Sequence, residues 1–177
     1  GVSSVIVETT AGPIAARFVI IADGGQGRMA RMAGFRMHRS AVEGVAVVGE
    51  TPLQGVNRIT VDIGLVPCGY AWLFPKGDRA SIGIGITKRG GNHRLIFERL
   101  KLFADRMEIP FERSLFRGAR LALWHKNRAV AAQGCFILTG EAAGLVDPLS
   151  AEGIRPAVKS AVMAATAVEK ALEGDEK

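Results

Sequence analysis

The 177 residues are 48% hydrophobic and 23% charged, a length and apolar content that suit a compact domain with its own core and exclude a disordered segment. Lys and Arg outnumber Asp and Glu by 23 to 17, a formal net charge of +6, yet no aromatic-interleaved basic run, zinc finger or RNP-like motif accompanies the excess, which speaks against nucleic acid as a partner. Apolar stretches are broken by Gly, Pro or a charge before the roughly 18 to 20 residues of a membrane span, and the first residues carry no signal-peptide pattern.

In chain order, Ser4 to Glu8, a turn through Thr10, Ala11, Gly12 and Pro13, and then Ile14 to Ile21 read as a β-hairpin. After Asp23 a glycine-rich turn (Gly24, Gly25, Gly27) leads into a short basic helix ending near Gly34. Strands are predicted at Val42 to Gly49, Arg58 to Val66, Tyr70 to Phe74 and Ala80 to Ile86, punctuated by Pro and Gly. That pattern belongs to an antiparallel meander rather than to βαβ units.

Asn92 can cap a helix running to about Met107. Within it Ile96, Leu100, Phe103 and Met107 form one apolar stripe that should lie on the sheet. Pro110 blocks continuation, and Leu115 to Trp124 offers another strand. Cys135 to Thr139 is short and apolar, as in a strand buried on both faces. From Ile154 to Leu172 an Ala-rich helix follows, with Pro156 tolerable only in its first turn. No internal repeat or low-complexity segment is present.

The basic excess is local: eleven basic residues against four acidic ones lie between Lys88 and Arg128. This reads either as a solvated face or as a field that attracts a diphosphate or an anionic lipid surface. Cys68 and Cys135 have no C-x-x-C or metal-ligand spacing, and His38, His93 and His125 are scattered, so no metal site is expected. Scarce cysteine fits a reducing, cytoplasmic compartment. No Ser or Cys elbow supports a hydrolytic nucleophile.

Two constellations carry more chemistry. In the first, Tyr70, Trp72 and Phe74 alternate with Ala71 and Leu73, Pro75 follows, and Gly83 and Gly85 come after it. In a strand the three rings share one face, forming either an aromatic core stripe or an apolar wall for a flat or greasy ligand. Glycines two apart leave a face bare where a ligand or another backbone approaches. In the second, Thr139-Gly140-Glu141-Ala142-Ala143-Gly144 precedes Val146-Asp147-Pro148 and Ser150-Ala151-Glu152-Gly153-Ile154. A buried strand ending in glycines and a carboxylate, then a loop that opens a helix, can set N–H groups against an acceptor-rich ligand. An ordinary strand-to-helix turn fits as well.

The string Y-x-W-x-F-P, seven residues, G-x-G resembles the substrate-domain signature of geranylgeranyl reductases, flavoproteins that saturate isoprenoid double bonds. The second constellation is similar to the G-D-A-A-G, P and G-E-G-I block of FAD oxidoreductases with the hydroxybenzoate-hydroxylase-like fold, except that Glu141 stands where Asp is usual and Ala151 where Gly is usual. Ile20-Ile21-Ala22-Asp23-Gly24 resembles the strand-A-D-G turn of the same superfamily.

The resemblance implies that Tyr70, Trp72, Phe74, Pro75, Gly83 and Gly85 line a prenyl pocket. It implies that Asp23, Gly24, Gly140, Glu141, Ala142, Gly144, Pro148, Glu152, Gly153 and Ile154 take the places that hold FAD. The expected fold is α+β, an antiparallel substrate sheet with a covering helix over residues 35–129. Partial Rossmann-like FAD-binding elements are expected at 1–34 and 130–177.

The expected reaction, in the intact protein, is hydride transfer from FAD, reduced by NADPH or another donor, to an isoprenoid lipid or prenyl diphosphate. Tyr70 or Cys68 is the nearest candidate for the proton, and no catalytic residue is assigned. Without a G-x-G-x-x-G after its opening strand, the chain reads as a carboxyl-terminal fragment, inactive alone. The other readings are a flavin monooxygenase or halogenase relative and a non-catalytic prenyl-lipid or partner-binding module. Peripheral attachment to an anionic membrane and self-association through exposed sheet edges are further expectations.

Overall fold

The computed structural model describes residues 4–35, 43–53, 55, 57–87, 93–124 and 131–174, except for the side chains of residues 93, 94 and 114. Two compact units divide the chain: Glu43–Leu121 is one, and the residues before and after it form the other. The whole is a mixed α+β fold.

In the flanking unit, β1 (Val5–Thr9) and β2 (Gly12–Ala16) form the expected hairpin. Its turn is closed by the Thr9 hydroxyl, which donates to Gly12 O at 2.7 Å, while Gly12 takes φ +112°, a value that favours glycine. The predicted strand Ile14 to Ile21 is two strands. The ladder with β1 ends at Ala16, and β3 (Val19–Ile21) belongs to a different sheet. No Gly or Pro marks that break, so periodicity ran through it. After β3 comes α1, Met29–Met32.

The central unit begins with β4 (Glu43–Pro52) and continues through β5 (Thr60–Ile63), β6 (Gly69–Lys76) and β7 (Arg79–Thr87). Helix α2 (His93–Arg106) follows, and after a single 3-10 turn β8 (Phe116–Ala122) completes the sheet. The strand order is β5-β6-β7-β4-β8, so β5, β6 and β7 make an antiparallel meander. The meander does not include β4, which pairs antiparallel with β7 on the far side.

One face of this sheet carries the core: Val47, Ala71, Leu73, Ala80, Ile82, Ile84 and Ile86 pack with Ile96, Leu100, Phe103 and Ala104 of α2. The predicted helical stripe thus lies on the sheet, with Met107 at its partly buried end. The Asn92 cap falls outside the described residues. Arg106 reaches across to Asp62 at 3.5 Å, and Lys101 pairs with Asp105. Part of the local basic excess is therefore spent in surface ion pairs, each worth about 0–1 kcal/mol.

Back in the flanking unit, β9 (Ala132–Gln133) and β10 (Phe136–Leu138) precede α3 (Ile154–Gly174). Strand β10 is central, antiparallel to β9 and parallel to β3. This parallel pair falls within the segments read as Rossmann-like and sets the carboxyl ends of β3 and β10 side by side. Ile21, Leu138, Ala142, Ala143, Ala30 and Phe35 form the core here.

Candidate functional site

The face of the central sheet opposite α2 follows from strand alternation. Ala71 and Leu73 point into the core, so Tyr70, Trp72 and Phe74 emerge on the other side. Their rings form a row, Tyr70 and Trp72 with centroids 5.8 Å apart and Trp72 and Phe74 6.1 Å apart, the latter pair stacked. Gly83 lies opposite Trp72 and Gly85 opposite Tyr70.

The bare strip at Gly83 is filled by the indole itself: a methyl group there would stand 2.3 Å from Trp72 Cζ2. Gly83 therefore serves the ring row rather than receiving a ligand directly. Trp72 Nε1 donates to Ser81 Oγ at 3.4 Å, which fixes the ring's direction. Pro75 pairs with Ala80 and falls on the side of Ala71 and Leu73, away from the rings.

Val61 pairs with Trp72 and Ile63 with Tyr70, so both extend the apolar face, and Ile63 is 84% exposed. Sequence reasoning did not single them out. Their alternation with Thr60 and Asp62 was the available signal. A row of large apolar side chains left open on one sheet face is the kind of surface that takes a chain-like or flat apolar ligand.

The second group gathers within the flanking unit at the carboxyl ends of β3 and β10, the position where ligands bind in open α/β sheets. Thr139 N donates to Ile21 O at 3.0 Å and so locks the two strand ends together. Asp23 folds inward, its Oδ2 accepting from Met29 N at 3.0 Å and its carboxylate pressed against Gly27. It closes the turn in which Gly24 takes φ +77°.

Glu141 turns toward the same place. Its Oε1 accepts from Ala122 N at 2.9 Å and packs where any side chain at Gly25 would clash, 2.6 Å from a methyl carbon. The longer side chain at this position thus spans from the β10 turn to Ala122. Ala142 is buried in that turn, which Gly144 closes at φ +62° with its N–H on Glu141 O.

Gly140 joins the turn to α3. Its N–H donates to Ser160 Oγ at 2.9 Å, and a methyl group there would meet Ala157 Cβ at 3.0 Å. Ser160, a polar residue in an Ala-rich helix, was not anticipated from sequence, nor was Ala122. Asp147 organises the loop that follows it. Its Oδ1 accepts from Ser150 N (2.6 Å), Ser150 Oγ (2.8 Å) and Leu149 N (3.0 Å). The Ser150 hydrogen bonds, first of all the one from its backbone, hold the Asp147 carboxyl below its usual range.

The loop ends as a helix start. Glu152 Oε1 accepts from Arg155 N at 2.7 Å, Gly153 O accepts from Ala157 N, and Pro156 occupies the first turn. Ala151 sits at φ +56°, a left-handed value for a residue with a side chain, where the related motif has glycine. Pro148 and Ile154 are exposed beside it. Among the described residues no three His, Cys, Asp or Glu side chains cluster to hold a metal.

Residues 45–114 match the family model for the geranylgeranyl reductase catalytic domain. The chain is 32% identical over 161 residues to digeranylgeranylglycerophospholipid reductase 2 of Methanothermobacter thermautotrophicus, covering 88% of this chain and 41% of that one. It is 30% identical to digeranylgeranylglycerophospholipid reductase of Thermoplasma acidophilum, covering 92% and 43%. The chain thus spans about two fifths of the length of these relatives.

Among solved structures, a geranylgeranyl bacteriochlorophyll reductase-like protein from Thermoplasma acidophilum superimposes with a TM-score of 0.77 at 24% identity, covering 92% of this chain and 43% of that one. The flavin-dependent halogenase CmlS gives a TM-score of 0.69 at 24% identity, covering 98% and 34%, and shares the fold alone. With the ring row and the strand-end turns at the positions of the two motifs, the chain is similar to geranylgeranyl reductases over most of its own length and matches their catalytic-domain model over residues 45–114.

Proposed function

We propose that this chain contributes the lipid-binding face and part of the flavin site of an FAD-dependent reductase that saturates carbon–carbon double bonds in an isoprenoid chain. The observation that carries this is the partly exposed row Tyr70, Trp72 and Phe74, widened by the exposed Val61 and Ile63, on the sheet face away from the core. An isoprenoid chain offers only apolar surface and π-bonds. A flat wall of rings buries it at roughly 25 cal/mol per Å² without specific polar contacts. Trp72, held by Ser81 and seated on Gly83, orients the chain, and Val61 and Ile63 exclude water beside it.

The flanking unit's residues fit a flavin. Turns after β3 and β10 and the head of α3 meet at one end of a parallel pair. The helix start there favours negative charge developing on an acceptor-rich ring. Gly153 and Ile154 would face that ring, with Gly140, Ala142, Gly144 and Pro148 shaping the turn beneath it. Glu141 keeps Oε1 on Ala122 N, and its other oxygen would accept from a ribityl hydroxyl. Asp23 and Gly24 keep the adjoining turn closed. When bound and reduced, by NADPH or another donor, FAD supplies the hydride. Tyr70 or Cys68 would supply the proton that completes saturation of the alkene.

The halogenase and monooxygenase neighbours share the fold, whereas the ring row and the family match at residues 45–114 favour the reductase. The basic excess supports loose attachment of a cytoplasmic protein to an anionic membrane surface. No helix among the described residues is long and apolar enough to cross a membrane. Strands β5 and β8, at the sheet's two edges, are where a second copy would pair.

The test is anaerobic incubation of the intact protein carrying this chain with reduced FAD and a geranylgeranyl glycerolipid, with mass spectrometry of the lipid. Two hydrogens gained per double bond, lost in Trp72→Ala while flavin is retained, is the expected result. A lipid that stays unsaturated with flavin bound and reduced overturns the reading.

A further inference from the structure

On the sheet face that carries the ring row, beyond Phe74, lies a groove of about 480 Å³ lined by Val48, Glu50, Lys76, Arg79, Ser81 and Arg117, among others. Strand pairing places it: Phe74 pairs with Ser81 and Ser81 with Glu50, while Lys76 pairs with Arg79. Ser81, whose hydroxyl accepts from Trp72, is therefore part of both the row and the groove. From Tyr70 to Lys76 the strand covers roughly 20 Å at about 3.3 Å per residue, and chemistry changes along it from apolar to cationic.

Glu50 arranges the cations. Its Oε1 lies 2.6 Å from Lys76 Nζ and its Oε2 3.4 Å from Arg79 Nε. Lys76 first, and Arg79 after it, hold the Glu50 carboxyl below its usual range. Lys76 and Arg79 against Glu50 leave one positive charge in excess on the groove's lining. The ammonium and the guanidinium each have more donors than the one nitrogen contact to Glu50 uses.

We propose that this groove binds the phosphate group of the isoprenoid lipid whose chain lies along Tyr70, Trp72 and Phe74, with Lys76 and Arg79 as the principal donors and Arg117 at the rim. This deepens the reading above and rests on it. It orients the ligand: the charged head sits beyond Phe74 and the chain runs back toward Tyr70. Glu50 acts as an electrostatic brake, holding both cations in place while weakening the pull on the anion.

Tryptophan emission tests this with Trp124→Phe, which leaves Trp72 as the sole tryptophan in the chain. Titrations compare geranylgeraniol, geranylgeranyl monophosphate and inorganic phosphate at low and high salt. The monophosphate is expected to bind roughly five- to twentyfold more tightly than the alcohol at low salt, with the advantage shrinking as salt rises. Arg79→Gln should remove most of that advantage and leave the alcohol unaffected. Glu50→Gln should increase monophosphate affinity by about twofold to fivefold. Opposite shifts from two neutralising substitutions cannot arise from unfolding, and circular dichroism checks the fold of each.

Equal affinity for alcohol and monophosphate overturns the proposal, as does an Arg79→Gln variant that weakens both alike. Inorganic phosphate that binds as tightly as the monophosphate marks a free-anion site and overturns it too. If the alcohol does not bind, the ring row itself is no lipid site, which is a separate failure and removes this proposal with it.

Discussion

Replacing Gly83 with alanine tests the geometry on which the ring row depends. The added methyl carbon would lie 2.3 Å from Trp72 Cζ2, 2.7 Å from Cε2 and 2.8 Å from Cη2. Carbon atoms sit about 3.5–4.0 Å apart at rest, so the indole must withdraw by roughly 1 Å or more. Withdrawal strains its rotamer, breaks the Ser81 bond and disturbs the stack on Phe74. Overpacking of this kind costs about 1–3 kcal/mol, which for a chain of this size lowers the unfolding midpoint by roughly 2–12 °C.

Gly85→Ala is the matched control. Its methyl carbon would meet Trp72 Cζ3 at 3.6 Å, an ordinary contact. Alanine in a strand is neutral or stabilising by up to about 1 kcal/mol relative to glycine. Both variants, in a Trp124→Phe background, can be followed by thermal unfolding and by Trp72 emission. A Gly83→Ala protein that melts with the parent and emits at the same wavelength, or a Gly85→Ala protein that melts as low as Gly83→Ala, would refute the reasoning.

Other substitutions probe the strand-end turns. Ala151→Gly should raise stability by about 0.5–1 kcal/mol, because relief of the left-handed backbone outweighs the entropy that glycine adds to the unfolded chain; denaturant melts measure it. Glu141→Asp, one methylene shorter, should lose the bond to Ala122 N and about 1 kcal/mol in the same assay, although Asp is the related motif's usual residue. Asp147 has a folded-state carboxyl pKa below its unfolded value, so its contribution is complete above about pH 4 and is lost as pH falls through the folded value. Acid titration of the midpoint should therefore be flatter below pH 4 in Asp147→Asn than in the parent.

Much of the central unit was legible because β6 and α2 have clean periods. Alternation in Tyr70 to Phe74 and the stripe Ile96, Leu100, Phe103 and Met107 each identify a face, and the core forms between them. The length of β4 and its place between β7 and β8 were not legible, since pairing across nonadjacent strands leaves no mark on local spacing. The break between β2 and β3 was missed for the same reason: apolar residues run through it, and only the choice of partner strand separates them.

In the second group the glycines announced a turn, and three of them do take positive φ. What Glu141 and Gly140 touch depended on Ala122 and Ser160, contacts 19 and 20 residues away that no motif spacing encodes. In the sequence Gly83 reads as a gap for a ligand or another backbone. It is a gap for Trp72, because the partner on the neighbouring strand is large enough to fill it.

The most direct measurement is photo-crosslinking. A geranylgeranyl glycerophospholipid with a diazirine in its chain is irradiated with the protein, and the modified residues are located by peptide mass spectrometry. Adducts on Val61, Ile63, Tyr70, Trp72 or Phe74, reduced by excess unlabelled lipid, are the expected result. Adducts confined to other exposed apolar residues, such as Ile154 or Val162 of α3, with the β5 and β6 peptides unmodified, would contradict the assignment of this sheet face as the lipid site.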